Sequence, residues 1–412
     1  MIIVESPPIP TAPWTPRVTT ALAVLAAAAF VYVTAEIMPV GALPAIAADL
    51  RVSEGTVGTL LASYALVAAV ATVPLVRWTA AWPRRRALLF TLLSLTVSQL
   101  ISALAPTFAV LALGRVLCSL THGLMWSVIA PIAVRLVPPS HAARATAAVY
   151  VGTGLALVVG NPLTAAMSEV WGWRLAVGAI TVAALAVTVA ARFTLPAMPL
   201  TQSPVATRPG RGRPHRNRGL VTLSVLTLVG VTGHFISYTF IVVIIRDVVG
   251  VRGPHLAWLL AAYGIAGLTA MALLARPGDR RPKAAIVGCL SALAFAFVVL
   301  AALGFDGRHT LGTLFTGVAA IILWGAAATA MPPLLQSAAM RHCPDDPDGA
   351  SGLYVAAFQV GIMAGSLGGG LFYQHGGLPV MITASAALIL AALSCLVVSR
   401  GLFPGRPPTS EK

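Results

Sequence analysis

The feature that most constrains this chain is the recurrence of long apolar runs, nearly free of charge, separated by short basic or proline-containing loops. Each run reaches the ~20 residues that carry a helix across a bilayer. Twelve such runs lie near 18–47, 56–76, 87–105, 109–136, 143–168, 174–195, 219–246, 255–275, 284–304, 310–340, 349–372 and 378–399. They are too long for barrel strands, and lipid offers backbone groups no hydrogen-bond partners, so helix is the reading. Composition agrees: 58% of the 412 residues are hydrophobic and 9% charged, whereas a water-exposed surface needs roughly 25% charged. The expectation is an all-α membrane protein of about twelve transmembrane helices in two six-helix bundles.

The main polar interruption, 196–218, is rich in Pro, Arg and Ser and cannot bury apolar surface. It divides the chain into a tail (1–17), a first bundle (18–195), a basic linker (196–218), a second bundle (219–399) and a second tail (400–412). The N-terminus lacks a basic leader and cleavage site, so the first span is expected to be retained. With both termini inside, 21 Lys and Arg fall on the cytoplasmic side and five outside, and Arg115 within a span completes the 27. The positive-inside rule therefore predicts cytoplasmic termini and a cytoplasmic linker carrying Arg208, Arg211, Arg213, Arg216 and Arg218. The net charge of +15 sits in loops rather than on one face, which argues against nucleic acid as a partner. Four scattered cysteines, with no CxxC pair, read as packing residues rather than disulfides or metal ligands.

The halves echo each other. VRLVPPSHAARATAAVYVGTG follows the fourth span and MRHCPDDPDGASGLYVAAFQVG the tenth. Such repeats mark transporters whose site lies at mid-membrane between the bundles.

Glu36 and Arg115 are the Asp, Glu, Lys or Arg residues well inside the spans. Burying either charge costs at least ~2.5–3.5 kcal/mol, which favours function over chance. Counted from the outer ends at ~1.5 Å per residue, Arg115 lies ~10 Å deep and Glu36 ~18 Å, so the arginine can reach towards the acid. Two readings stand: a structural ion pair between spans one and four, or a carboxyl balanced between pairing and burial that binds and releases a proton. His122, seven residues after Arg115, shares its helix face. It reads either as a packing residue or as a substrate or proton contact, with Trp126 one turn on. His234 with Tyr238 is a weaker pair of the same kind. Gln336 and Gln359 are cavity candidates by position, or simple bridges between helices. Gly152, Gly154 and Gly160 in span five, and Gly361, Gly365, Gly368, Gly369 and Gly370 in span eleven, permit close helix contact. Gly160-Asn161-Pro162 should kink span five.

Several segments together resemble the major facilitator superfamily and, within it, the drug/proton antiporters near the bacterial sugar and arabinose efflux permeases. They are TAEIMPVGALPAIAADL, LGRVLCSLTHGLMWSVIAPIAVRLVPP, GLALVVGNPL followed by WGWR, TGHFISYTFI, ARPGDRR, LWGAAATAMPPLLQ and FQVGIMAGSLGGG. The resemblance implies proton-coupled efflux of a small molecule across a bacterial cytoplasmic membrane, by a monomer surrounded by lipid and without a cofactor. It also implies that Arg84, Arg85, Arg86, Gly160, Pro162, Asp279, Arg280 and Arg281 serve conformational motifs. The first-half loop lacks the family's aspartate, so a weaker latch is expected there. Gly160 and Pro162 match the antiporter motif, while Thr164 replaces its trailing glycine. Charged residues are too sparse for a membrane enzyme, and no soluble domain suggests a receptor. An importer of the same fold is the main alternative; a sugar, nucleoside or antibiotic would suit such a cavity.

Overall fold

A computed structural model of the chain describes residues 14–52, 54–198, 217–252, 254–399 and 402. Most of both tails and most of the linker, including Arg208, Arg211, Arg213 and Arg216, lie outside the described residues. The first half comprises α1 (Pro16–Gly41), α2 (Glu54–Trp78), α3 (Arg84–Ala103), α4 (Phe108–Arg135), α5 (Ala142–Trp171, through a π-turn at Ala156–Gly160) and α6 (Trp173–Thr194). The second comprises α7 (Arg218–Tyr238), α8 (Pro254–Arg280), α9 (Pro282–Asp306), α10 (Leu311–His342), α11 (Pro347–Tyr373) and α12 (His375–Val398).

Local chemistry sets the ends. Side chains of Thr15, Thr107 and Asn217 accept from backbone N–H groups in the first turns of α1, α4 and α7, and Thr310 forms a capping box with Thr313 at α10. Each satisfies donors the helix cannot. The joint between α5 and α6 and a kink close after α12 begins are built alike, around Gly172 (φ 86°) and Gly377 (φ 70°). A side chain would be strained at either angle.

Three expected spans differ in detail. The first ends at Gly41 and resumes as a short helix, Leu43–Leu50, because the prolines of PVGALP interrupt the ladder. The seventh stops at Tyr238, before Ile241–Ile244 and a π-turn at Ile245–Val249. In α5 the proline's missing N–H is accommodated by the widened π-turn immediately before Asn161-Pro162.

Two hydrophobic cores form, one drawn from residues 21–195 and the other, apart from Ala147, from 220–402. Large apolar residues such as Val70, Leu104, Phe193 and Leu273 are exposed on the outside, as a lipid-facing surface requires. The bundles meet where α11 packs on α2 and α4, and where α5 packs on α8 and α10. Glycines set the closest approaches within and between bundles. A β-carbon at Gly152 would collide with the Ala26 carbonyl of α1, one at Gly369 with the Ile236 carbonyl of α7, and one at Gly154 with Leu268 of α8.

Gly152→Ala is therefore expected to destabilise the protein by about 1–3 kcal/mol, the usual cost of overpacking. Gly178→Ala, where a β-carbon meets nothing within 4 Å, should be neutral or mildly stabilising. Thermal unfolding of purified protein in detergent decides this; equal melting points for the two variants would refute the close α1–α5 packing.

Candidate functional site

A cavity of about 1000 Å³ lies between the bundles, with Glu36, His122, His234, Tyr238, Tyr263 and Gln359 among its lining residues. That is the upper end of the range for small-molecule sites, and as in most of them the lining is chiefly apolar. Its lining runs from Ile37, Thr239 and Leu367, near the ends of α1, α7 and α11, to Leu223, Ile286 and Leu396, near the opposite ends of their helices.

On the first-bundle wall the polar groups are largely paired with one another. Tyr64 Oη is 2.9 Å from His122 Nδ1 and 3.4 Å from Cys118 Sγ, and Tyr32 Oη lies 2.8 Å from Thr121 Oγ1. Glu36 Oε2 approaches His122 Nδ1 to 3.9 Å. No described residue donates a hydrogen bond to the Glu36 carboxylate, which is a quarter exposed.

Arg115 does not meet the Glu36 carboxylate, contrary to the expected ion pair. Its Nη1 donates to the Ala35 carbonyl at 2.5 Å and its Nη2 to the Glu36 carbonyl at 2.6 Å. The cause lies in α1. Pro39 sits inside that helix and has no N–H, so the carbonyl four residues back, on Ala35, lacks its helical donor. The planar guanidinium supplies one and takes the adjacent carbonyl as well. Its centre lies 4.7 Å from the centroid of the Tyr64 ring, a favourable place for a cation. Arg115 is thus a pin between α4 and α1, and Glu36 turns its acid into the cavity.

The second-bundle wall is aromatic. His234 stacks on Tyr238 with centroids 5.0 Å apart, and Trp324, fully buried behind them, donates from Nε1 to His234 Nδ1 at 3.0 Å. Tyr263 completes the group, 5.9 Å from Trp324 by ring centroids.

Gln336 is not a lining residue. It is fully buried, accepting from Tyr150 Oη at 3.0 Å and donating to the Trp126 carbonyl at 3.0 Å and Ser351 Oγ at 2.9 Å. It therefore bolts α10 to α4 and α5 beside the cavity. Trp126 and Gln359 do line it.

Beyond that bolt, two ion clusters close the face carrying the α2–α3 and α8–α9 loops. Asp279 pairs with Arg144 at 2.8 Å, accepts from the Ala143 N–H at 2.7 Å and lies 3.9 Å from Arg341. The first-half loop is not the weaker partner that its missing aspartate suggests. Asp348, at the start of α11, lies 3.0 Å from Arg84 and 2.5 Å from Arg135. Arg144 stands six residues before Tyr150 and Asp348 six before Tyr354 in the repeated segments, so the two latches occupy corresponding places with the charges exchanged. Arg85 donates to the Leu195 carbonyl at 2.9 Å, and Arg86 lies over the Trp82 ring at 5.0 Å. Arg280 and Arg281 are exposed and form no ion pair among the described residues. Gly160 packs on Thr34 of α1, and Pro162 follows the π-turn. Sequence reasoning missed Tyr64, Tyr263, Trp324 and Asp348. An isolated tyrosine or tryptophan within an apolar span was the available signal for three of them; none existed for the pairing of Asp348.

The pin yields a test. Arg115→Ala strands the Ala35 carbonyl inside the protein, at about 1–3 kcal/mol. Pro39→Ala restores the helical donor to Ala35, so in the Arg115→Ala background it should recover part of the lost thermal stability. An unchanged melting point on adding Pro39→Ala would show that the carbonyl was not the reason for the contact.

The sequence profile described as the Major Facilitator Superfamily matches residues 25–346 and 223–412. The chloramphenicol efflux pumps Rv0191 and MT0201, from two strains of Mycobacterium tuberculosis, are 66% and 65% identical over 393 residues, covering 95% of each chain. Among solved structures, the human organic anion transporter MFSD10 (TETRAN) superposes with a TM-score of 0.73 at 17% identity, over 93% of this chain and all of the other. A variant of the E. coli fucose:proton symporter FucP superposes with a TM-score of 0.69 at 15% identity, over 92% and 98%. These two likenesses concern the fold. Taken with the extent of the sequence matches, they make this a multi-pass membrane transporter rather than an enzyme: the chain belongs to the Major Facilitator Superfamily.

Proposed function

We propose that the protein exports a neutral, amphipathic aromatic antibiotic of the chloramphenicol type in exchange for protons, across a bacterial cytoplasmic membrane and with both termini inside. The observation that carries this reading is a single membrane-embedded carboxylate, Glu36, turned into an inter-bundle cavity. The identity to relatives named as chloramphenicol efflux pumps supports the direction and the class of substrate. With the basic loops cytoplasmic, the ion clusters of Asp279 and Asp348 close the inner face, and the cavity belongs to an outward-directed state. A proton entering from outside neutralises Glu36, and substrate held through the carboxylate is released. Loss of the proton inside restores the acceptor for the next molecule. A ligand drives such a switch only through differential affinity for the two states, and here proton and substrate compete for one group. The cavity's size and the interlocking bundles suit a single chain acting as a monomer.

Glu36→Gln keeps the shape and removes the titration. It should abolish pH-driven chloramphenicol uptake into everted vesicles, the direction that corresponds to export from the cell, while leaving exchange of labelled for unlabelled drug measurable. Uphill uptake at the wild-type rate would remove Glu36 from the coupling step.

Asp348→Asn should loosen the inner face. In a background whose remaining cysteine is Cys343, between α10 and α11, an impermeant maleimide should label everted vesicles and spare right-side-out cells, and the substitution should speed labelling severalfold. Labelling from outside would invert the proposed topology; an unchanged rate would deny Asp348 a latching role.

A further inference from the structure

The second-bundle wall has hydrogen-bonding capacity that the fold leaves unused. An indole N–H can only donate, so the 3.0 Å contact from Trp324 Nε1 makes His234 Nδ1 an acceptor. The neutral imidazole must then carry its proton on Nε2, which has no partner among the described residues although the ring lines the cavity. Tyr238 and Tyr263 line the same wall, and their hydroxyls are also unpartnered among the described residues. Three aromatic side chains from α7 and α8 thus offer one obligatory donor and two hydroxyls. Across the cavity, Tyr64, Tyr32 and Arg115 are occupied by protein groups, and the carboxylate of Glu36 can only accept.

We infer that His234, Tyr238 and Tyr263 form a subsite for an arene bearing a hydrogen-bond acceptor such as a nitro group, with Trp324 as a positioning residue that fixes the His234 tautomer. This deepens the functional reading given above and rests on it. The cavity's two poles then orient the substrate. The ring lies against the flat faces of His234 and Tyr238, which suit offset or edge-on contact, and its acceptor meets Nε2–H and the hydroxyls. Hydroxyl and amide donors at the other end of the molecule face Glu36. Chloramphenicol has this polarity, with a nitrophenyl group at one end and two hydroxyls and an amide N–H at the other. Lining residues elsewhere in the cavity, mostly aliphatic, supply bulk without a preferred orientation. A site that hydrogen-bonds a particular group discriminates against a ligand lacking it, because its own polar groups are left unpaired.

The test is equilibrium binding by titration calorimetry to purified full-length protein, using chloramphenicol and its reduced form with an amino group in place of nitro. The wild type should prefer the nitro compound by about tenfold, equivalent to about 1.4 kcal/mol. His234→Phe should bring the two affinities to within about twofold. Trp324→Phe should do the same, although the indole lies behind the lining, and the double variant should be no worse than either single one, since both act through one donor. Should Trp324→Phe fail to fold, Tyr238→Phe and Tyr263→Phe, which remove only hydroxyls, must each lower the preference. Equal wild-type affinities for the two compounds, or a preference untouched in His234→Phe, would overturn the subsite while leaving chloramphenicol as substrate. Absence of chloramphenicol binding to the wild type would overturn the functional reading, and the subsite with it.

Discussion

A helix crossing lipid cannot leave a backbone carbonyl unanswered, and Pro39 leaves one in the wall of the central cavity. The rest of the first-bundle site follows from the reply. Arg115 reaches from α4 to the carbonyls of Ala35 and Glu36, fixing the rotation of α1 against α4. That rotation aims the Glu36 side chain into the cavity, where none of the described residues donates to its carboxylate. It also holds the guanidinium over Tyr64, whose hydroxyl meets His122. One missing N–H in EIMPVG thus accounts for a buried arginine, an acid turned to the cavity and the placement of a histidine. A lysine could neutralise the region but could not span two successive carbonyls.

The gross architecture was legible in the sequence because lipid imposes it. Span length, loop charge and the repeated segments gave twelve helices in two bundles. Individual contacts were less legible, since hydropathy records how apolar a position is and not which neighbour it meets. Glu36 and Arg115 stood out as buried charges, yet their pairing was read wrongly because a backbone carbonyl has no signature in a side-chain pattern. The proline that frees it stands in the EIMPVG segment of α1. Gln336 reads either as a cavity residue or as a bridge between helices and is the bridge, since depth along a helix does not say which face a residue occupies. Trp324 passed unnoticed in an alanine-rich stretch, where nothing distinguishes a packed indole from one that sets a histidine's tautomer.

The two latches illustrate a further limit of motif reading. Judged against the family pattern, the first-half loop had lost its acid. In three dimensions the acid stands on α11 and the loop end supplies the arginine, so charge complementarity survives with its direction reversed. The corresponding surfaces on the two halves therefore carry opposite arrangements, and neither can substitute for its repeat. Internal symmetry in this fold constrains where interactions occur more tightly than which partner contributes which sign.

The solitary acid in the cavity also bears on energetics. In the proposed exchange, a neutral molecule leaving against one entering proton moves one positive charge inward in each cycle. The membrane potential then acts on every turnover, with about 2.3 kcal/mol per 100 mV for each charge carried across. Such a pump keeps a driving force when the pH on the two sides is equal, and a cell that maintains its voltage in neutral surroundings would still expel the drug.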